Sequence, residues 1–137
     1  MVDYINRLAE DIAFGVESEK DNYEIIKEFV CCPELQRNKR NDIFDFESEN
    51  ILVELKTRKC LSNKYKDSMV GVNKLNYAKQ KGKETYFFFS FEDGLFYWKY
   101  NLEEESKLRF GRGGRFDRGR VEQNNYFFIP IDLLKKI

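Results

Sequence analysis

The sequence predicts an α/β protein, because helical and strand patterns alternate along the chain. Apolar residues recur at helical spacing over residues 3–13 and again over residues 18–33. Residues 42–56 then place β-branched and aromatic residues on both sides of a polar tetrapeptide, which is typical of a β-hairpin. A third helix is predicted over residues 70–81, ahead of a dense group of aromatic residues with strand character. This alternation of elements defines the predicted α/β class.

The first two helices are predicted to be separate. Gly15 interrupts the apolar stripe. Ser18-Glu19-Lys20-Asp21 resembles a capping box, in which a hydroxyl and a later acid satisfy free N–H groups. Pro33 is expected to end the second helix, because proline lacks the N–H that a helix interior needs.

Turn residues bound the third helix and the strands that follow it. Asp67 or Ser68 is the predicted cap of this helix, and Gly82 is its predicted C-terminal residue. Two aromatic strands are predicted over residues 85–91 and 95–100, joined by a tight Asp-Gly turn.

The last part of the chain reads as a loop followed by a strand. Residues 111–120 are rich in glycine and arginine and are predicted to form a flexible surface loop. A last strand is predicted over residues 126–131, with Pro130 placing its end at a sheet edge. Asp132 is expected to cap a short terminal helix. We predict a single domain over residues 1–137.

Charge is strongly segregated, although 24 basic and 24 acidic residues give a formal net charge of zero. Residues 1–55 hold 14 acidic and six basic side chains, whereas residues 56–83 hold one acidic and nine basic. Residues 107–120 form a second basic block, with six basic side chains and one acid. Two such blocks on one folded face would suit a polyanion, because phosphate contacts release counterions. Solvated surface charges are the alternative.

The composition excludes several classes of protein. The chain has no histidine, so catalytic triads, His-ligated zinc and imidazole bases are excluded. Three cysteines cannot complete a four-ligand zinc site without histidine, and they favour a reduced intracellular protein. No apolar run reaches the roughly 18 residues of a membrane span, and the first residues lack the pattern of a signal peptide. We therefore expect a soluble, intracellular protein with no membrane partner.

The most informative residues are Asp45, Glu54 and Lys56. Glu54 and Lys56 are two positions apart on one strand, so their side chains share a face. A hairpin loop with an even number of residues places Asp45 on that face, whereas an odd number places Asp42 there. Leu52 shares the face and argues against full exposure to solvent. We predict that two carboxylates and an ammonium converge; a charged, solvent-facing strand is the alternative.

The paired carboxylates indicate magnesium, because carboxylate oxygens are hard ligands, and Mn²⁺ is the expected substitute. Such an ion lowers the pKa of a bound water and neutralises charge on a scissile phosphate. A neighbouring lysine can orient that water or stabilise developing charge. Glu19 is a candidate further member, because it heads an apolar helical stripe and so points inward. An ordinary first-turn acid stabilised by the helix dipole is the alternative.

The order of these residues resembles that of the PD-(D/E)XK, or restriction endonuclease-like, nuclease superfamily. Gly15-Val16-Glu17-Ser18-Glu19 is similar to the start of its first helix. Phe44-Asp45-Phe46, followed by residues 51–58, is similar to its motif strands. The resemblance extends over about residues 15–91, includes Holliday junction resolvase-like members and small viral or phage nucleases, and implies a mixed sheet flanked by helices.

Position by position, the resemblance implies a metal site and a catalytic lysine. Glu19, Asp45 and Glu54 would be metal ligands, together with the carbonyl of Leu55. Glu19 would support a second ion or a water. Lys56 would be the catalytic lysine that assists the attack on the phosphodiester.

A second acid-x-lysine triplet, Glu105-Ser106-Lys107, lies in a polar run. Only Glu54-Leu55-Lys56 lies in an apolar strand after a hairpin. The second triplet is therefore expected to be a solvated loop.

Residues outside the motif are candidates for nucleic-acid contact. Lys74 and Tyr77 lie about one turn apart on the third helix, which flanks the active site in this superfamily, and ordinary helix surface is the alternative. Arginines of the glycine-rich segment offer planar donors that match phosphate. The candidate contacts are Arg58, Lys74, Tyr77, Arg112, Arg115 and Arg118.

Together these features favour a Mg²⁺-dependent endonuclease that hydrolyses DNA with a metal-activated water. RNA is an alternative substrate, and the small size of the chain suggests a homodimer for binding two strands. The rival interpretations are a non-cleaving nucleic-acid-binding module on the same fold and a protein-interaction domain. The abundance of Lys, Asn, Ile, Phe and Tyr agrees with an AT-rich viral or phage genome.

Overall fold

The structure is a computed structural model that describes residues 2–39, 42–115 and 122–137. The helices are α1 (Val2–Phe29), α2 (Val72–Lys81) and α3 (Leu102–Glu105), with a 3-10 turn at Ile131–Leu133. The strands are β1 (Gln36–Arg37), β2 (Phe46–Glu47), β3 (Ile51–Thr57), β4 (Asp67–Gly71), β5 (Glu84–Phe91), β6 (Gly94–Lys99), β7 (Arg109–Arg115), β8 (Glu122–Pro130) and β9 (Lys135–Lys136). None of the helices in these ranges combines the length and apolar character that spanning a membrane requires.

A mixed sheet forms the centre of the fold. In the described ranges its strand order is β1-β2-β3-β5-β6-β9. β3 and β5 are parallel, and the other neighbouring strands are antiparallel. β4, β8 and β7 form a separate antiparallel sheet. The predicted α/β class, with a mixed sheet and flanking helices, is confirmed, and the separate sheet is an additional feature.

The mixed sheet is buried on both faces. On one face, Ile26 of α1 packs in a core with Val53 and Leu55 of β3. On the other face, Leu52 and Phe87 pack in a second core with residues of α2 and β8. Successive residues of β3 therefore point to opposite cores, as a strand requires, and the motif strand is held rigidly between them.

β2 and β3 form the predicted hairpin around a two-residue turn. Phe46 pairs with Val53, and the Ser48 N–H donates to the Ile51 carbonyl (2.9 Å). The first strand is shorter than predicted, because residues 42–45 bend away from the ladder. The even loop length is the one that favours Asp45 over Asp42 on the face of Glu54.

The predicted break in the first helix is wrong, because α1 continues through Gly15. A single glycine in a helix costs only about 1 kcal/mol relative to alanine. Ser18 is a buried residue in the middle of the helix rather than a cap. Thr57 Oγ1 donates to Ser18 Oγ, and Asn22 Nδ2 donates to the Ser18 carbonyl (2.8 Å). The hydrogen bond from Thr57 joins α1 to the end of β3, whereas that from Asn22 lies within α1.

α2 begins later than predicted. Asp67 and Ser68 lie in β4, so neither caps the helix, and Gly71 occupies the cap position without a side-chain hydrogen bond. β4 forms because its backbone pairs with β8, a partner distant in sequence. Gly82 ends α2 as predicted, in the left-handed conformation (φ 65°) that suits glycine.

The predicted loop and edge strand near the C-terminus are also corrected. Residues 111–115 belong to β7, because backbone pairing with β8 outweighs the weak strand preference of glycine. β8 is the central strand of its sheet, and Pro130 is tolerated there because it is the last residue of the ladder. Pro130, not Asp132, stands at the cap of the 3-10 turn. Residues 116–120 of the predicted loop lie outside the described residues.

Candidate active site

Asp45 and Glu54 form a carboxylate pair at the open end of the β2–β3 hairpin. Glu54 is only 2% exposed and lies beside Phe87 of β5. Asp45 immediately precedes β2, and its N–H donates to the Val53 carbonyl (3.1 Å). Its Oδ2 accepts the Leu55 N–H (2.7 Å). The side chains of Asp45 and Glu54 also share a hydrogen bond, so the hairpin backbone holds the two carboxyl groups together.

The pKa of Asp45 is raised to about 8. Burial is the largest cause, followed by the negative charge of Glu54 and the hydrogen bond between the two carboxyl groups. The hydrogen bond from the Leu55 N–H lowers the pKa of Asp45, but by less than these three causes raise it. Two adjacent carboxylates ionise together only at a high energetic cost unless a cation lies near them. At neutral pH the metal-free pair therefore retains one proton.

We expect the metal-free protein to lose stability as the pH rises from about 5 to about 8. An unfolded aspartate ionises near pH 3.9, whereas folded Asp45 keeps its proton up to about pH 8. The folded state binds more protons across this range, so rising pH favours unfolding. The free energy of unfolding should fall by about 2–4 kcal/mol, which urea denaturation in EDTA at the two pH values measures.

Two variants test this pH dependence. Asp45→Asn has no proton to lose and should flatten it. Asp42→Asn should behave as wild type, because Asp42 is exposed and accepts the Lys39 N–H (2.9 Å) away from the pair. An unchanged pH slope in Asp45→Asn would contradict the placement of the proton.

Two lysines neutralise Glu54. Lys56 Nζ lies 3.3 Å and Lys74 Nζ 3.4 Å from Glu54 Oε2. Lys56 projects from the same face of β3, whereas Lys74 reaches the site from the first turn of α2 and also donates to the Ile43 carbonyl. The Lys56 side chain is 35% exposed and that of Lys74 17%. Lys56 is therefore the more open to a substrate, and Lys74 is the more firmly held.

Lys74→Met should lower the free energy of unfolding by about 1–3 kcal/mol, because buried Glu54 then keeps only one cationic partner. Urea denaturation measures the change. The matched control is Lys79→Met on the same helix, whose partner is Glu105 at 2.6 Å in a more exposed pair. That control should lose less than about 1 kcal/mol. If Lys74→Met and Lys79→Met lowered the free energy of unfolding equally, Lys74 would contribute no more to stability than an exposed lysine does.

α1 brings Glu19 to the edge of the carboxylate pair. Burial raises the pKa of Glu19, Arg37 lowers it, and the charge of Glu54 raises it again. Arg37 Nη2 lies 3.7 Å from Glu19 Oε1. Glu19 is thus within electrostatic reach of Glu54 but is paired with arginine. Sequence reasoning did not find Arg37, because the two-residue β1 carries no recognisable strand pattern.

Lys56 stands between two clefts. On the α1 side, a cleft of about 390 Å³ is lined in part by Glu19, Leu55, Lys56 and Arg58. On the α2 side, a cleft of about 510 Å³ is lined by Lys56, Lys74 and further residues of α2 and β8. Lys56 is thus a shared lining residue of both clefts.

The predicted contacts on the motif side and on α2 lie in different surroundings. Arg58 follows β3 directly, and its Nη2 donates to the Met69 carbonyl (3.2 Å). Tyr77 packs on Phe44, with ring centroids 5.8 Å apart, at the edge of the core. The structure therefore brings Arg58 to the cleft beside Lys56 but does not bring Tyr77 to the carboxylate pair.

Of the predicted arginine contacts in β7, Arg112 lies beside a residue of the second cleft. Arg112 is exposed and pairs in the ladder with Asn125, which lines the second cleft. Arg115 lies three residues further along β7, opposite Glu122. Arg118 lies outside the described residues.

The second acid-x-lysine triplet begins in a helix rather than in the predicted solvated loop. Glu105 ends α3 and pairs with Lys79. It also accepts a hydrogen bond from the Tyr100 hydroxyl (3.1 Å). Lys107 is exposed. The two triplets share a sequence pattern and differ completely in surroundings.

The carboxylate pair suits a hard divalent cation. Within residues 2–39, 42–115 and 122–137, no three His, Cys, Asp or Glu side chains converge as a ready metal-binding group. Asp45 and Glu54 nevertheless offer adjacent carboxylate oxygens, and burial together with the charge of Glu54 raises the pKa of Asp45 even though two lysines lie at Glu54. The donor set fits Mg²⁺ through these two residues, with Glu19 at the margin.

A mixed sheet, a helix across one face and an acid pair with a lysine on the motif strand define a restriction endonuclease-like nuclease core. A family model described as "Phage putative PDDEXK endonuclease" matches residues 16–137. The chain belongs to this family. Membership agrees with the predicted superfamily and with a phage origin, and a family of nucleases implies nucleic acid as the class of substrate. No curated protein and no solved structure matches the chain.

Proposed function

We propose that this protein is a Mg²⁺-dependent endonuclease that hydrolyses phosphodiester bonds of DNA. The observation that carries the proposal is the Asp45–Glu54 pair, which is largely buried, raises the pKa of Asp45 and lies beside Lys56. Glu54 raises the pKa of Asp45, so ionisation of both carboxyl groups destabilises the metal-free fold. A role in stability alone therefore does not explain why the two groups lie together.

Asp45 and Glu54 would hold the ion, together with the carbonyl of Leu55, and Mn²⁺ should replace Mg²⁺. When bound there, the ion supplies Lewis acidity at the scissile phosphate. Glu19 lies close enough to respond to the charge of Glu54 and would support a water or a second ion.

The lysines of the site have different tasks in this proposal. Lys56 carries an ammonium in contact with Glu54 and open to solvent, so it can orient the attacking water or donate to a phosphate oxygen. Lys74 is tied to Glu54 and to the Ile43 carbonyl, so it fixes the orientation of the Glu54 carboxylate. The protein would thus run the reaction with carboxylates, lysine and a cation, without histidine.

The basic surroundings of the site support DNA as the substrate. Lys56, Arg58 and Lys59 line the cleft on the α1 side, and Lys74 lines the cleft on the α2 side. Cations on both sides of the end of β3 would contact successive phosphates, so affinity should fall as salt rises. Cutting both strands of a duplex would take two such sites, which we propose a homodimer supplies.

The test of this function incubates the protein with linear, branched and single-stranded DNA, with Mg²⁺ or Mn²⁺ and with EDTA. We expect cleavage of at least one DNA with either metal and none with EDTA. Salt-sensitive binding of DNA without cleavage would favour a non-cleaving module on the same fold. Absence of both binding and cleavage would favour a protein-interaction domain.

A further inference from the structure

The cleft between α2 and β8 carries chemistry that metal-dependent hydrolysis does not use. Its volume is about 510 Å³. Three asparagines line it, namely Asn73 and Asn76 of α2 and Asn125 of β8. Lys56 and Lys74 of the candidate active site line the same space. We call this space the amide cleft.

Chain topology builds the amide cleft beside the active site. Gly71, the last residue of β4, pairs with Tyr126 of β8, and α2 begins at the next residue. β8 extends beyond this point, where Asn125 pairs with Arg112 of β7 and no longer with β4. The first turns of α2 and the free part of β8 thus face each other across the cleft.

The asparagine amides are available for a ligand. Asn73, Asn76 and Asn125 are exposed. In the described part of the chain, no hydrogen bond from another residue satisfies their side-chain amides. Each amide offers two N–H donors and a carbonyl acceptor. An ionised phosphate diester accepts hydrogen bonds but donates none. It can therefore bond the amide N–H groups but leaves the three amide carbonyl acceptors without a donor.

Base edges match these amides better than phosphates do. In the major groove an asparagine can bond both N6 and N7 of adenine, a pairing that other bases do not reproduce. The cleft has no acidic side chain among its described lining residues, so it does not repel a DNA strand. Lys56 and Lys74 would contact the phosphate, and the amides would contact the bases beside it, because phosphate contacts position DNA and base contacts specify sequence.

We propose that the amide cleft reads adenine bases next to the scissile phosphate, so that Asn73, Asn76 and Asn125 are specificity-determining residues. The proposal rests on the proposed function, since it takes DNA as the substrate. It adds a preference for cutting beside adenine, which the carboxylates and lysines of the site cannot supply.

The test compares a duplex of random sequence with the same duplex in which 7-deazaadenine replaces every adenine, which removes the N7 acceptor. Wild type should cut the modified duplex at least about tenfold more slowly, and a duplex with 7-deazaguanine at the unmodified rate. The triple variant Asn73→Ala, Asn76→Ala, Asn125→Ala should cut the normal and 7-deazaadenine duplexes equally. Asn6→Ala, an exposed asparagine on α1, should behave as wild type.

Each remaining outcome separates this inference from the proposed function. If wild type cuts both duplexes equally fast, the inference is overturned while nuclease activity stands. If wild type cuts neither, the proposed activity fails, and fluorescence anisotropy with the metal-free protein decides the inference. The inference is then supported if wild type binds the 7-deazaadenine duplex at least about tenfold more weakly than the normal duplex. Equal binding of the two duplexes would overturn the inference. Matching thermal unfolding of wild type and the triple variant shows that the fold is intact.

Discussion

Glu54→Gln and Lys56→Met should each lower the rate of DNA cleavage by at least about 100-fold. Glu54→Gln removes the charge of the buried carboxylate that pairs with Asp45 and with both lysines. Lys56→Met keeps the length of the side chain but removes the ammonium that faces the clefts. Cleavage of the preferred DNA in Mg²⁺, followed under single-turnover conditions, measures both changes. DNA binding in EDTA should change much less for Lys56→Met.

The chain supplies its own control for this prediction. Glu105 and Lys107 repeat the acid-x-lysine pattern on the surface. Glu105→Gln and Lys107→Met should cleave within about twofold of wild type, since surface substitutions away from the site have small effects. If the two sets of variants cleave equally well, the site does not lie at Glu54 and Lys56.

Phe87→Ala should lower the free energy of unfolding by about 3–5 kcal/mol, the largest stability loss we expect from a single substitution. Phe87 is fully buried in the core between the two sheets. Its ring lies 5.5 Å from that of Phe127 and 5.8 Å from that of Trp98, measured between centroids. Because Phe87 is the neighbour of Glu54 in the ladder, the cavity would also loosen the carboxylate pair. Urea denaturation measures the loss.

Phe110→Ala is the matched control for this stability prediction. Phe110 contacts the same core residue, Phe127, with ring centroids 6.3 Å apart, but it is 50% exposed. Its removal should lower the free energy of unfolding by less than about 1 kcal/mol. A loss in Phe87→Ala no larger than that in Phe110→Ala would contradict the assignment of the core between the sheets.

The sequence was sufficient to predict the motif hairpin, and the reason is local. Side chains of a strand alternate between two faces, so Glu54 and Lys56 had to project together. The loop of the hairpin then decided between Asp42 and Asp45, and its two residues favour Asp45. Neighbours in sequence therefore place Glu54 and Lys56 on one face, whereas the choice of Asp45 needed the loop length that the structure gives.

The contacts that complete the site were not predictable in the same way, because they join elements distant in sequence. Lys74 reaches Glu54 from α2, although its position on the helix indicated only a surface with possible substrate contact. Arg37 reaches Glu19 from β1, a strand too short to be recognised. The pairing of β4 with β8 turned predicted loop and helix residues into a second sheet. Tertiary pairing overrides local preference in each case.

The continuous α1 has a similar explanation. Gly15 and the capping pattern at Ser18 predicted a break, yet the chain continues as a helix through both. Ser18 is held by Thr57 at the end of β3, a contact that no local pattern reveals. This contact also sets the position of Glu19 beside the carboxylate pair.

Titration of Mn²⁺ into the metal-free protein by calorimetry tests the central claim most directly, because it measures the carboxylate pair without any DNA. We expect saturable binding in wild type and in Asp42→Asn, and its loss in Asp45→Asn and in Glu54→Gln. Equal binding in all four proteins, or no binding in wild type, would contradict a metal site built on Asp45 and Glu54.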